Sequence, residues 1–189
     1  MIEYKVIRRR VKYSRIVVKK DRVFLIVPWF VTNTDSIIRK KKKWIVSKLK
    51  EFESLRTDAS RHIDINALEK KVREGLSRAG YVRSELKKKV TELCDLYASL
   101  LQVGYRKIFI RSQRTKWASV SSRGNINFNF NLAFVPERLL KLVVYHELLH
   151  FRIKNHNREF KARLKDQFPD LDLLERLLNY YALLLNQFR

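Results

Sequence analysis

Three of the four histidines in the sequence lie within eleven residues, at His146, His150 and His156. Residues four apart on an α-helix project to the same side, so His146 and His150 can reach one metal ion. Glu147 is rotated about 100° from His146, which takes it out of the ligand position but leaves it within reach of a water molecule on the metal. This spacing predicts hydrolysis by a zinc-activated water, with Glu147 as the catalytic base.

His156 can join this site only if the helix ends before it. A continuous helix would place His156 about 240° around from His150 and about 9 Å further along the axis. We therefore predict a break between Phe151 and His156, with Asn155 in a left-handed C-terminal turn. Three protein ligands with an open fourth position are typical of a catalytic zinc site. The alternative is a set of incidental polar residues hydrogen-bonded in the core, which is costly on an apolar helix.

Other side chains have roles that the sequence leaves open. Four residues are candidates for stabilising an oxyanion: Tyr145, Arg152, Tyr180 and Tyr181. For each tyrosine, the alternative is an ordinary packing role. Glu159 either orients a ligand imidazole or is an ordinary glutamate in the first turn of a helix. His62 is expected to be a surface or capping residue, and Trp44 and Trp117 are expected to be core residues.

Hydrophobic periodicity predicts the elements in the first part of the chain. Residues 2–31 alternate as paired strands do, with Tyr4, Val6 and Ile7 before a basic stretch and two β-rich runs at 16–18 and 23–27. A cap at 34–36 begins a helix over about 37–52. These patterns predict paired strands followed by one helix.

The middle of the chain predicts two helices and a hairpin. Residues 64–102 have helical spacing, and Gly80 is predicted to separate the two helices. A short strand at 107–110 precedes a hairpin over 116–134, whose second strand alternates apolar residues with asparagines. The apolar face must be buried, whereas the asparagine face either contacts water or lines a cleft.

The histidine segment lies on a helix that begins at Pro136, a residue acceptable in a first helical turn. Asn157 is predicted to be the N-cap of the next helix, and an amphipathic helix follows it. The fold class is therefore α+β, with a β-hairpin beside the helix that contains the HExxH motif. We predict a basic region of strands and a helix at 1–55, either part of the same compact unit or a small subdomain, and a catalytic domain at 56–189.

Two segments, at 116–132 and 143–160, resemble the YgjP-like metallopeptidase family, which is related to the SprT-like and WLM proteases. In the first segment the matching residues are Trp117, Ser119, Ser121, Gly124, Ile126, Asn129 and Leu132. In the second they are His146, Glu147, Leu148, His150, Asn155, His156 and Phe160. Ala118 and Val120 depart from the family pattern, which usually has Gly and Cys there. The resemblance implies a minimal zincin fold, one zinc ion, and a hairpin strand that flanks the cleft.

The positive charge is concentrated near the N-terminus. The whole chain has a net charge of +23, and residues 1–50 contain sixteen Lys and Arg residues against three acidic residues, a net charge of +13. Such a region attracts polyanions, so a non-specific nucleic-acid partner is expected. The alternative is a solvated surface in a lysine-rich proteome.

Cysteine usage and hydropathy predict a cytoplasmic protein with no membrane partner. Cys94 is the single cysteine, which excludes an internal disulfide and a thiolate zinc site, and its spacing predicts a buried residue. No uninterrupted apolar run approaches the length of a membrane span, about 18 residues, and the N-terminus lacks an apolar signal core.

Three functional hypotheses follow. The first is a zinc-dependent metallopeptidase that hydrolyses proteins or peptides, acting near DNA. The second keeps the zinc but hydrolyses nucleotides or other phosphate substrates. The third is a basic nucleic-acid-binding protein whose zinc is structural, although Glu147 would have no purpose in such a site.

Overall fold

A computed structural model describes residues 3–19, 22–59 and 64–185 of the chain. The described residues divide into two compact units, 3–59 and 64–185. Both units combine strands with helices, which confirms the α+β class. The division predicted after residue 55 falls inside a helix that ends at Ala59. His62 lies outside the described residues.

The first unit contains a three-stranded sheet and two helices. The strands are β1 (Tyr4–Arg8), β2 (Arg15–Lys19) and β3 (Arg22–Val27). Their order is β1-β3-β2, with β1 parallel and β2 antiparallel to the central strand β3. The helices are α1 (Thr34–Lys40) and α2 (Lys42–Ala59).

The single helix predicted near residues 37–52 is wrong, because the chain leaves helical geometry at Lys41 between α1 and α2. The predicted cap is also displaced. Asn33 is the N-cap of α1, and its side chain accepts a hydrogen bond from the Ser36 amide at 3.1 Å. This hydrogen bond satisfies an amide that would otherwise have no partner at the start of the helix.

The core of the first unit lies between the sheet and the helices. Val23, Leu25 and Val27 of the central strand pack with Ile38 of α1 and Ile45 of α2. Because Ile45 takes the position on α2 that faces the core, its neighbour Trp44 is rotated away and is 44% exposed. The prediction that Trp44 is a core residue is therefore wrong.

The second unit begins with two helices, followed by a small sheet and three further helices. The first two are α3 (Ile65–Ser77) and α4 (Ala79–Leu101). The strands are β4 (Ile108–Arg111), β5 (Ala118–Val120) and β6 (Ile126–Asn129), in the order β4-β6-β5. The last helices are α5 (Glu137–Leu149), α6 (Arg158–Gln167) and α7 (Leu171–Leu185).

The hairpin is confirmed, but its second strand is shorter than predicted. Strand β6 ends at Asn129, and the chain continues as a 3₁₀-helix over Phe130–Phe134. Asn129 and Asn131 are only 4% and 8% exposed, so a water-facing row of asparagines is wrong for these two residues. The alternation fails because the Asn129 side chain accepts a hydrogen bond from the Asn131 amide and thereby starts the 3₁₀ turn.

Helices α4 and α5 form the centre of the second unit. Nine of the thirteen residues of α5 are buried, as expected for a helix covered on most sides. Cys94 of α4 is fully buried, which confirms its packing role, and burial raises the pKa of its thiol to about 12. The break between α3 and α4 lies at Arg78, not at Gly80 as predicted.

Gly75 marks a close approach between α3 and the 3₁₀-helix. A Cβ atom at Gly75 would lie 2.4 Å from Cε1 of Phe134, whereas a Cβ at Gly80 would have no neighbour within 4 Å. A glycine inside a helix ordinarily costs about 1 kcal/mol relative to alanine. The contact with the buried Phe134 ring explains why a glycine is nevertheless suitable at Gly75.

We expect Gly75→Ala to lower the free energy of unfolding by up to about 2 kcal/mol, because overpacking outweighs the gain in helix propensity. Gly80→Ala is the matched control and should raise it by up to about 1 kcal/mol. Urea denaturation followed by circular dichroism measures both changes. Equal stabilisation by the two substitutions would contradict the close approach.

Candidate metal centre

The histidine segment leaves α5 earlier than the sequence predicts. Helix α5 ends at Leu149, and His150 is its C-cap residue. The Arg152 amide donates to the Leu149 carbonyl at 3.0 Å, so the chain turns at once instead of after Phe151. Among the described residues other than glycine, only Gln102 has a positive φ, so a left-handed turn at Asn155 is wrong.

The return of the chain toward the histidines depends on the start of α6. Asn157 is the N-cap of this helix, as predicted, and its side chain accepts a hydrogen bond from the Phe160 amide at 2.9 Å. The Asn157 amide in turn donates to the Asn155 carbonyl at 2.8 Å. The short loop between α5 and α6 thereby brings His156 back beside α5.

The three predicted histidines converge on one point. Nε2 of His146 lies 3.2 Å from Nε2 of His150 and 3.0 Å from Nε2 of His156. One nitrogen from each of the three rings lies within 4.8 Å of the other two. Nitrogens that share a tetrahedral zinc ion are about 3.3 Å apart, given a Zn–N distance of 2.0–2.1 Å. The spacing therefore fits a single ion.

Hydrogen bonding alone does not account for this arrangement. A neutral imidazole Nε2 either donates or accepts one bond in the ring plane, yet Nε2 of His146 has two ring nitrogens at bonding distance. On His150, Nδ1 lies 3.2 Å from the Ile153 carbonyl, which accepts its proton and leaves the Nε2 lone pair free for a ligand. The donor set fits a metal cation.

Phe160 holds the three imidazoles in place. Its ring centroid lies 4.9 Å from that of His146 and 4.7 Å from those of His150 and His156. The contact with His150 is stacked, with 29° between the planes, and the Phe160 side chain is fully buried. The ring contacts all three histidines.

Glu147 lies beside the histidines on α5 and is 7% exposed. Burial raises the pKa of its carboxyl group to about 7, although the positive charge of Lys116 and a hydrogen bond from the Val120 amide act in the opposite direction. Burial also lowers the pKa of His146 to about 4, with smaller contributions from His150 and His156. The Val120 contact shows that the hairpin strand β5 borders the site, as predicted.

A cavity of about 440 Å³ opens beside His146 and Glu147. Its apolar wall consists of Trp117, Ala118, Leu142, Val143 and Leu178. Its polar wall consists of Lys116, Glu175 and Asn179. Trp117 is thus a partly exposed cavity residue, which corrects the prediction of a core position. A molecule that enters this cavity reaches His146 and the buried carboxylate of Glu147.

Asn129 positions one wall of this cavity. Its side-chain amide donates to the carbonyl of Gln113 at 2.9 Å and to that of Lys116 at 2.7 Å. These bonds hold the loop that precedes β5, and the loop places Lys116 and Trp117 at the cavity. The asparagine therefore acts on the cavity through the loop.

The remaining candidates have packing or surface roles. Tyr145 is buried and packs edge to face against Tyr97 at 5.3 Å. Tyr180 and Tyr181 are also buried, at 1% and 5% exposure. Arg152 donates to the Gln102 side chain at 3.3 Å, and the Glu159 carboxylate forms a surface ion pair with Arg163 at 3.4 Å. Packing is therefore the role of Tyr145, and Glu159 is an ordinary helix glutamate.

The sequence profile of the YgjP-like metallopeptidase domain matches residues 61–181, which is more than half of the chain. The chain belongs to the YgjP-like metallopeptidase family. The resemblance seen in the sequence is thus confirmed. Membership places the chain among hydrolases that use a metal ion, and the histidine cluster is a site that could hold one.

Other comparisons give weaker likenesses. The chain is similar to the metallopeptidase zymogen jannalysin of Methanocaldococcus jannaschii, with 26% identity and a TM-score of 0.43 over 47% of this chain and 92% of that chain. It is also similar to the zymogen abylysin of Pyrococcus abyssi, with 22% identity and a TM-score of 0.41 over 46% and 87%. No curated protein sequence matches the chain. None of the helices in the described residues is long and apolar enough to cross a bilayer.

Sequence reasoning missed the roles of three residues. Lys116 lies on an exposed loop, where a lysine has no distinguishing signal. Asn129 could have been found, because an asparagine side chain that accepts from the amide two residues further on is typical of a turn. Phe160 is one of the residues that match the family pattern, but its contact with three imidazoles depends on the loop that precedes it and has no signal in the sequence.

We expect Phe160→Leu to weaken zinc binding about tenfold or more, because the three imidazoles lose the ring that orients them. Phe168→Leu is the matched control, since Phe168 is also buried but packs on Tyr145 at 5.8 Å. Competition with a zinc-sensitive dye measures both affinities. Equal weakening by the two substitutions would show that general core packing, not ring contact, controls the site.

Proposed function

We propose that this protein is a zinc-dependent peptidase in which His146, His150 and His156 hold the metal and Glu147 is the general base. The observation that supports this most directly is the convergence of three ring nitrogens beside a buried carboxylate at an open cavity. Three histidine ligands leave a fourth position for water or substrate, as in catalytic zinc sites. Neutral imidazole nitrogens are ligands that zinc prefers.

When bound, zinc polarises the substrate carbonyl and lowers the pKa of water toward 7. The Glu147 carboxylate accepts the proton of the attacking water and later delivers it to the leaving amine. The Val120 amide, which donates to this carboxylate, holds it in one orientation during both transfers. The Ile153 carbonyl accepts from Nδ1 of His150 and so fixes the tautomer in which Nε2 would be free to hold the metal.

The cavity favours a peptide substrate over a nucleotide. Its wall includes five apolar residues, which suit a side chain of a protein substrate. Binding of a triphosphate ordinarily requires several cations, and among the described residues that line this cavity Lys116 is the one cation. The nucleotide hypothesis therefore has less support here than the peptidase hypothesis.

We expect Glu147→Gln to lower kcat about 10²–10⁴-fold while zinc content stays near one per chain, because the base is lost and the ligands remain. Glu159→Gln is the matched control, since Glu159 is an exposed glutamate that pairs with Arg163 on α6. Cleavage of denatured casein and elemental analysis of the purified variants give the two readouts. Loss of zinc in Glu147→Gln would show a structural role instead.

We expect His150→Ala to abolish zinc binding and hydrolysis together, whereas His62→Ala, the fourth histidine of the sequence, should change neither. Chelation should inactivate the wild type, and added zinc should restore it. Elemental analysis, casein cleavage and release of phosphate from nucleoside triphosphates are measured in parallel. Zinc-dependent phosphate release without casein cleavage would overturn the peptidase assignment while keeping the metal site.

A further inference from the structure

Three segments of the chain meet at one edge of the sheet in the first unit: the end of β1, the start of β2 and the end of β3. Because β1 is parallel to β3, the end of β1 at Arg8 pairs with the end of β3 at Val27. Because β2 is antiparallel to β3, its start at Arg15 pairs with Ile26 at the same edge. The connection between β1 and β2 therefore lies beside the residues that follow β3.

This edge is strongly basic. Between residues 8 and 15 the chain has no acidic residue, and Pro28–Val31 has none either. The cations of this segment all have exposed side chains: Arg8, Arg9, Arg10, Lys12 and Arg15. A cluster of this density attracts phosphate groups and binds them in a salt-dependent way.

Three large aromatic side chains lie exposed at the same edge. Tyr13 is 72% exposed, Trp29 is 74% exposed and Phe30 is 64% exposed. The unit's core is built from other residues, so these rings are not needed to complete it. Large exposed apolar side chains that gather at one place mark an interaction surface.

Specific contacts hold the rings among the cations. The Arg8 guanidinium donates to the Val31 carbonyl at 2.6 Å and to the Trp29 carbonyl at 3.3 Å. Nζ of Lys12 lies 5.3 Å from the Tyr13 ring centroid. The Trp29 and Phe30 rings meet edge to face with centroids 5.8 Å apart. Arg8–Arg15 together with Pro28–Phe30 are called the basic aromatic edge below.

We propose that the basic aromatic edge binds single-stranded nucleic acid. Cations that pair with phosphates, interleaved with rings that stack on unpaired bases, are the two components of such binding surfaces. Four of the five cations are arginines, whose planar guanidinium groups bind phosphate through two hydrogen bonds and also stack on bases. A duplex would use the cations but leave the rings without stacking partners.

A neighbouring pocket extends this surface. It has a volume of about 280 Å³ and is lined by Ser14 and Ile16, which adjoin the edge, and by Ile37, Lys41 and Trp44. The partly exposed Trp44 ring and the Lys41 ammonium offer a second pair of aromatic and cationic groups. A base of a strand that is bound along the basic aromatic edge can stack on the Trp44 ring in this pocket.

Other occupants fit the edge less well. A second copy of the chain would bring five cations against five, which opposes association. An anionic bilayer would attract the cations, but insertion needs a continuous apolar surface. Here Trp29 and Phe30 meet edge to face, whereas Tyr13 lies on the connection between β1 and β2 with Nζ of Lys12 beside its ring.

The test measures binding of the full chain to fluorescein-labelled oligonucleotides of twenty thymidines or twenty uridines by fluorescence anisotropy. Trp29→Ala should weaken binding about tenfold, whereas Trp29→Phe, which keeps a ring, should stay near the wild type. Tyr81→Ala is the matched control, because Tyr81 is a 59% exposed ring of the second unit with Arg78 5.0 Å from its centroid. It should bind like the wild type.

The charge contribution is tested by salt titration. Replacing Arg9 and Arg10 together by Gln should reduce the slope of log K against log salt by about 0.7 for each phosphate group that the protein no longer neutralises. The matched control replaces Lys87 and Lys88 of α4, two exposed lysines of the second unit, by Gln and should leave the slope unchanged. Melting temperatures of all variants should match the wild type, because none of these side chains is buried.

Three results would overturn the proposal. The first is equal affinity for a duplex of the same length. The second is equal weakening of binding by the Arg9/Arg10 and Lys87/Lys88 double variants, with no change in Trp29→Ala. That result would mean that the oligonucleotide is attracted to the charge of the whole chain and not to the basic aromatic edge. The third is sedimentation with phosphatidylserine vesicles that depends on Trp29, without oligonucleotide binding. The peptidase test is independent, because Glu147→Gln lies in the other unit and should bind the oligonucleotides normally.

Discussion

The Phe160 ring contacts all three imidazoles of the candidate metal centre, and the rest of the site depends on this contact. The ring reaches them because α5 ends at Leu149 and the Asn157 cap starts α6 after a short loop. Three histidines held this close cannot pair all of their ring nitrogens by hydrogen bonds among themselves. The buried Phe160 ring covers one side of the cluster, and the converging ring nitrogens form a site that could hold a metal ion.

The sheet and the loop before β5 supply polar groups near Glu147, whereas the helices supply apolar packing. Strand β5 gives its Val120 amide to Glu147, and the loop before β5 places Lys116 near the same carboxylate. Asn129, at the end of β6, fixes that loop through two carbonyl groups. Burial raises the pKa of Glu147, and the groups supplied by the hairpin and the loop before it partly offset this rise. Helix and hairpin together define a carboxylate that is buried yet faces an open cavity.

The two units use apolar residues differently. The second unit buries several aromatic residues around α5, as Tyr145 and Phe168 illustrate, and leaves Tyr81 exposed. The first unit builds its core from aliphatic residues such as Leu25 and Ile45 and leaves Trp29 in solvent. An exposed tryptophan contributes little to the stability of the fold, so its position indicates a role in binding a partner. The family profile matches residues 61–181, so the basic aromatic edge lies outside the matched residues.

The sequence by itself predicted the candidate metal site and most of the elements. Spacing of four residues on a helix and an Asn cap are local rules, so His146, His150 and the start of α6 at Asn157 were predictable. The hairpin and the buried α5 followed from periodicity for the same reason. Only the tertiary structure decided where α5 ends, because the chain turns through hydrogen bonds to the Leu149 carbonyl and not through a left-handed Asn155. It also decided the neighbours of Glu147, since contacts between residues distant in the chain leave no periodic signal in the sequence.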